Sequence, residues 1–161
     1  MVIDLQFRSG LCFSEVNRMK SLLFSTGVFS RSEIDVVEEL ALEHINKGIA
    51  SGYHFITCQT PTQLCGFSCF GPDACSNGSW HLYWLAVDRN VQHEGIAGSL
   101  LQAVKKEILP CGGRSLYAET SSKVSYAPAR SFYEKSGFGS EALLKDFYDV
   151  GDDKVIYSLR L

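Results

Sequence analysis

The chain has 161 residues, 45% of them hydrophobic and 20% charged, with a formal net charge of −3. That length is enough for one domain with its own core. The slight acidic balance and the lack of any lysine or arginine block argue against a nucleic-acid partner. The first ten residues lack a basic stretch followed by an apolar run, so no signal peptide is expected, and no apolar run reaches membrane-spanning length. The expected location is cytoplasmic, with no membrane partner. Six cysteines (Cys12, Cys58, Cys65, Cys69, Cys75 and Cys111) form no CxxC pair and have no clustered histidines. Reduced, mostly buried thiols are therefore expected, with no metal.

Residues 2–8 read as a short first strand. Val16, Met19, Leu22 and Leu23 then fall at helical spacing over Ser14 to Phe24, and Gly27 closes that helix. Ser30-Arg-Ser-Glu33 is a capping-box pattern, and Ile34, Val37, Leu40, Ala41, His44 and Ile45 share one stripe of the helix that follows, up to Gly48. Tyr53 to Thr60 and Leu64 to Phe70, β-branched and aromatic around Pro61, predict an antiparallel hairpin. Gly71 to Gly78 is read as a loop. Trp80 to Val87 is apolar almost throughout, as a strand covered on both faces should be, and Gly95 to Ile108 is an amphipathic helix. Ser115 to Thr120 reads as a strand and Pro128 to Ser136 as a short helix with proline in its first turn. Two last strands, Phe138 to Leu144 and Lys154 to Leu161, flank an acidic loop. The order β-α-α-β-β-β-α-β-α-β-β, without repeat or linker, predicts one α/β domain over residues 1–161, a mixed sheet with helices on both faces.

The stretch from Leu82 to Leu101 anchors this arrangement. A strand that runs through a glycine-bearing loop into a helix N-terminus presents unpaired amides and positive potential, a generic cradle for a phosphate. Glycine also opens helices for steric reasons alone. The loop is neither a Walker A loop nor a GxGxxG dinucleotide loop.

Two motifs sharpen the reading. Gln92-His93-Glu94-Gly95-Ile96-Ala97 resembles the Gln/Arg-x-x-Gly-x-Gly/Ala loop of the GNAT superfamily of N-acetyltransferases. Ala129-Arg-Ser-Phe132-Tyr133-Glu-Lys-Ser-Gly137-Phe138 resembles that family's second signature, Ala-x-x-Phe-Tyr-x-x-x-Gly-Phe. The resemblance is clear from Trp80 to Leu161, and the element order extends it upstream. It implies a mostly antiparallel sheet and acetyl-CoA as cosubstrate. It assigns Leu85, Ala86 and Val87 to the pantetheine arm, and Gln92, His93, Gly95, Ile96, Ala97 and Gly98 to the diphosphate. Glu94 departs from the small or basic residue frequent there, and Tyr126 falls where many members carry an asparagine. Family members commonly dimerise, so a homodimer is an expectation for which no exposed stripe places an interface.

Transfer of an acetyl group to an amine needs an unprotonated nucleophile and a proton for the departing thiolate. Tyr133 matches the family's thiolate-protonating position, although Phe-Tyr pairs also simply pack. Glu119 is the matching candidate base, with a carboxylate bonded at a strand end as the plainer reading; His81 and Tyr83 on the preceding strand are the alternative, wiring a water to the amine. Deprotonating a lysine-like ammonium at pH 7 costs about 4 to 5 kcal/mol, a peptide α-amine only about 1 kcal/mol. In the last hairpin, Asp146, Asp149, Asp152 and Asp153 are candidates to attract a cationic amine, small molecule or peptide, with Tyr148 as an aromatic wall; solvated turn residues are the plainer reading. No cysteine has an adjacent histidine or a helix-start position, which disfavours an acyl-cysteine route. A non-catalytic acyl-CoA-binding module would keep the loop and lack the acid and base.

Overall fold

In a computed structural model, which describes residues 4–161, the chain runs through strand β1 (Gln6–Ser9), helices α1 (Phe13–Thr26) and α2 (Arg31–Lys47), and strands β2 (His54–Gln59), β3 (Leu64–Pro72) and β4 (Ser79–Val87). Helix α3 (Ile96–Ile108), strand β5 (Ser115–Ser121), helix α4 (Ala127–Lys135) and strands β6 (Gly139–Asp149) and β7 (Asp152–Arg160) complete it. This is the expected element order; residues 2 and 3 of the expected first strand lie outside the described residues. The strands form one sheet in the order β1-β2-β3-β4-β5-β7-β6. All neighbours are antiparallel except β4 and β5, which α3 joins by a crossover.

Local chemistry sets the element ends. Gly27 takes a left-handed conformation (φ 68°) at the end of α1. Ser30 caps α2 reciprocally: its Oγ accepts from Glu33 N at 3.2 Å, and Glu33 Oε2 accepts from Ser30 N at 2.7 Å. Two loop readings need correction. Gly71 and Pro72 belong to β3, where they pair with His81 and Trp80. The acidic stretch is no open loop either. It extends β6 and β7 into a long hairpin in which Asp149 faces Asp152 and Val150-Gly151 make the turn.

Two apolar cores lie on opposite faces of the sheet. One joins α1 and α2 to the sheet through Leu23, Ile34, Val37, Phe55 and Phe67. The other packs α3 and α4 through Leu100, Val104, Ile108, Tyr133 and Phe138. Strand β4 contributes to both, with a change of parity along its length. Trp80 and Leu82 belong to the α3 side, whereas Ala86 belongs to the α1/α2 side with Trp84 packed on it. The register explains the inversion: Leu82 pairs with Phe70 and Trp84 with Cys69, leaving Tyr83 as an extra residue. Such a bulge shifts the side-chain alternation by one and bends the strand.

Candidate active site

Strands β4 and β5 pair only from Ser79 opposite Ser115 to Leu82 opposite Ala118. Beyond the bulge at Tyr83 they part, and a cleft of about 880 Å³ opens between them. It runs from β4 residues 81–87 and Gln92 on one wall, past Glu119, Thr120 and Ser121 of β5, to Tyr126, Ala129 and Tyr133 around α4. Leu85, Ala86 and Val87 thus lie on the free margin of β4, where the expected pantetheine arm would pair.

At the end of β4 a short 3-10 turn, Arg89–Val91, is capped by Asp88, whose Oδ1 accepts from Asn90 N at 2.9 Å. His93 (φ 67°) and Gly95 (φ 80°) then take left-handed conformations on either side of Glu94. The first bond of α3 runs from Ser99 N to Gly95 O, so the amides of Ile96, Ala97 and Gly98 precede the helical ladder. Left-handed turns followed by free helix-start amides form a concavity suited to a diphosphate, and the residues present fit the cosubstrate. Glu94 is exposed. The Gln92 side chain ties the loop to the end of β4, its Nε2 donating to Val87 O at 3.2 Å.

Tyr133 is buried on the α4 face, its ring 5.2 Å from Phe138 and 5.6 Å from Tyr157. It lines the cleft, and its hydroxyl has no hydrogen-bond partner among the described residues. Burial, with a smaller effect of Tyr157, pushes the phenol up to about 12. It therefore carries its proton throughout the neutral range.

The opposite side of the cleft is lined by aromatic rings and carboxylates. His81 and Tyr83 are stacked at 5.6 Å, and His81 Nε2 lies 3.0 Å from Asp73 Oδ2. Glu119 is half-exposed and held by Lys154, whose ammonium is 2.6 Å from Oε2 and 3.6 Å above the Phe147 ring. Asp152 is buried; it accepts from Ser121 Oγ and faces the Lys123 ammonium at 3.5 Å. Glu33 makes no ion pair among the described residues; its Oε1 accepts from the Tyr126 hydroxyl at 3.2 Å, across the mouth of the cleft. Burial, then Glu33, pushes the Tyr126 phenol far up. Burial followed by Glu119, Asp152 and Glu33 raises Tyr148 to about 12. Three carboxylates therefore converge on this end of the cleft.

The acidic hairpin divides accordingly. Asp152 and Tyr148 line the cleft, but Asp153 does not: its Oδ1 accepts from Asp146 N at 2.8 Å and its amide is bonded to Ser122 Oγ at 2.9 Å. Asp146 has φ 52° and binds Gly151 N, and Asp149 binds Val150 N. These three side chains brace the turn. The cysteine expectation also needs correction. All six are free, yet Cys12, Cys75 and Cys111 are exposed, and Cys12 is the N-cap of α1 with Arg8 Nη1 3.6 Å from its sulfur. It does not line the cleft. Among the buried thiols, burial pushes Cys58 up to about 11.

Glu33, Phe29, Asp73 and Lys154 were not singled out from the sequence as site residues. Glu33 is legible there only as the third residue of a helix cap. No local signal shows which way its second carboxylate oxygen faces.

A sheet opened between two parallel strands, beside an amide-rich helix start, is the arrangement that the two sequence motifs implied. A domain profile described as "Acetyltransferase (GNAT) domain" matches residues 51–139, and a GNAT-family protein from Desulfovibrio desulfuricans is 42% identical, with a TM-score of 0.94 over 97% of this chain and 98% of that one. The chain belongs to the GNAT acetyltransferase family. The ribosomal-protein-S18-alanine N-acetyltransferase of Escherichia coli shares the fold at 19% identity (TM-score 0.75; 97% of this chain, 93% of that one). So does the PaiA N-acetyltransferase of Thermoplasma acidophilum, solved in complex with coenzyme A, at 17% identity (TM-score 0.77; 98% and 99%). No curated protein matches the chain significantly. Among the described residues no helix is long and apolar enough to cross a membrane.

Proposed function

We propose that the protein transfers the acetyl group of acetyl-CoA to a primary amine by direct attack of the amine on the thioester. The parting of β4 from β5 after Leu82 and Ala118 carries this reading, because the cleft it opens runs from Gln92 at the head of the loop to Tyr133. The PaiA likeness in complex with coenzyme A supports the same cosubstrate. Leu85, Ala86 and Val87 would align the pantetheine arm, and Gln92, His93, Gly95, Ile96, Ala97 and Gly98 would hold the diphosphate. Tyr133 gives its proton to the departing sulfur, and its apolar packing keeps it from ionising first.

The acceptor is a cationic amine. Asp152 is matched by Lys123 and Glu119 by Lys154, which leaves Glu33 as the unmatched charge at a mouth walled by Phe29, Tyr126 and Tyr148. Calorimetric titration with acetyl-CoA, followed by thiol detection across peptides, polyamines, aminoglycosides and free amino acids, tests the reading. Binding together with amine-dependent thiol release is the expected result. Binding with no thiol released by any amine overturns it.

A further inference from the structure

We propose that His81, oriented by Asp73, is the base that takes a proton from the acceptor amine; this rests on the acetyltransferase reading above. Both oxygens of Asp73 are committed. Oδ2 lies 3.0 Å from His81 Nε2, and Oδ1 accepts from Cys75 N at 2.9 Å. The loop carrying it is closed onto β4 by Asp73 N donating to Ser79 O at 2.9 Å. An ionised carboxylate can only accept, so in the neutral imidazole the proton sits on Nε2 and the lone pair on Nδ1. His81 has no other hydrogen bond among the described residues. The ring lines the cleft and is kept in plane by Tyr83, stacked at an interplanar angle of 22°, with Tyr117 at 6.3 Å on the neighbouring strand.

The groups facing His81 are Asp73 from the loop before β4, Tyr83 from β4 itself and Tyr117 from β5. Tyr53, Cys69 and Glu119 lie around Tyr83 beyond them. None of these is a lysine or arginine, so nothing in the set opposes a protonated ring. Glu119 is differently placed: it already shares the ammonium of Lys154, a side chain only 13% exposed.

Nδ1 of His81 accepts one proton from the ammonium, directly or through one water, and frees the nitrogen lone pair. The C–N bond forms as the C–S bond breaks, and the sulfur leaves with the bonding pair and takes the Tyr133 proton. The second proton lost by nitrogen restores the phenol, and the imidazolium releases its own to water.

The pH profile of kcat tests this in the purified protein, with the best amine of the panel. In the parent, kcat rises with pH along a single limb. His81→Gln loses that limb and about 100-fold in kcat, while the KM for acetyl-CoA stays the same; imidazole added to His81→Ala restores rate. In Glu119→Gln the limb stays where the parent has it, whatever the rate. Nitrogen NMR of the His81 ring reads the Nε2–H form in the parent and its loss in Asp73→Asn, independently of turnover. A His81→Gln profile that superimposes on the parent's, an Nδ1–H form in the parent, or loss of the limb in Glu119→Gln each overturns the proposal while leaving the acetyltransferase reading intact. A parent that binds acetyl-CoA and releases no thiol with any amine overturns both.

Discussion

Tyr133 sits where removing one oxygen atom should leave the packing untouched. Its ring is held by Phe138 and Tyr157, and its hydroxyl bonds to nothing among the described residues, so Tyr133→Phe should fold normally. We expect kcat to fall by about 100-fold or more, with acetyl-CoA affinity by calorimetry nearly unchanged. Glu33 makes a second test at this scale. Glutamine preserves the capping box, so Glu33→Gln should keep its melting temperature while the KM for a diamine rises about fivefold to tenfold, as loss of one charge-assisted contact requires; an amine without a second charge should be affected less. Tyr133 was legible in the sequence because its neighbours form a continuous signature. Glu33 was not, because it comes within reach of the cleft only when distant elements are packed, and Asp73 was not, because it reaches His81 only through the pairing of β3 with β4. The four hairpin aspartates looked alike in sequence; strand register and turn geometry separated Asp152, which faces the cleft, from the three that brace the backbone.

Among the elements, β4 carries the most consequence. Its apolar run was readable as a two-faced strand, and hydrophobic periodicity located α1, α2 and α3, with proline in the first turn marking α4. The bulge at Tyr83 was not readable, since a run of apolar residues has no alternation to interrupt. Gly66 shows how closely β3, β4 and α3 approach one another near the end of β4. A Cβ there would stand 2.9 Å from Ala86 O, 3.1 Å from Leu100 and 3.2 Å from Ile96. Gly66→Ala should cost about 1–3 kcal/mol by urea unfolding and weaken acetyl-CoA binding, because either β4 or the start of α3 must move. At Gly95 a Cβ would meet open space, but φ is 80°. Gly95→Ala should therefore act through backbone strain of about 1–2 kcal/mol, distorting the amide loop without crowding it.

For the molecule as a whole, the edge of the sheet is tied to α3 by a polar contact that pH should control. Glu107 on α3 accepts from Ser9 Oγ of β1 and lies 3.9 Å from His54 Nδ1 of β2. The His54 contact, and to a smaller degree Ser9, hold its carboxyl below the usual range. A lowered folded-state value means that the contact stabilises above the ordinary carboxylate range, and that this contribution is lost as pH falls through the lowered value. Glu107→Gln should therefore cost about 0.5–1 kcal/mol near neutrality, given its partial exposure. The gap between parent and variant melting curves should close in acid.

The opening between β4 and β5 passes through the sheet, with the Tyr133 side packed by one core and the His81 side by the other. Donor and acceptor can then occupy separate halves of one passage without either having to leave before the other arrives. Initial-rate plots at several fixed acetyl-CoA concentrations should intersect rather than run parallel, the signature of a ternary complex. A product analogue such as desulfo-CoA should compete with acetyl-CoA alone.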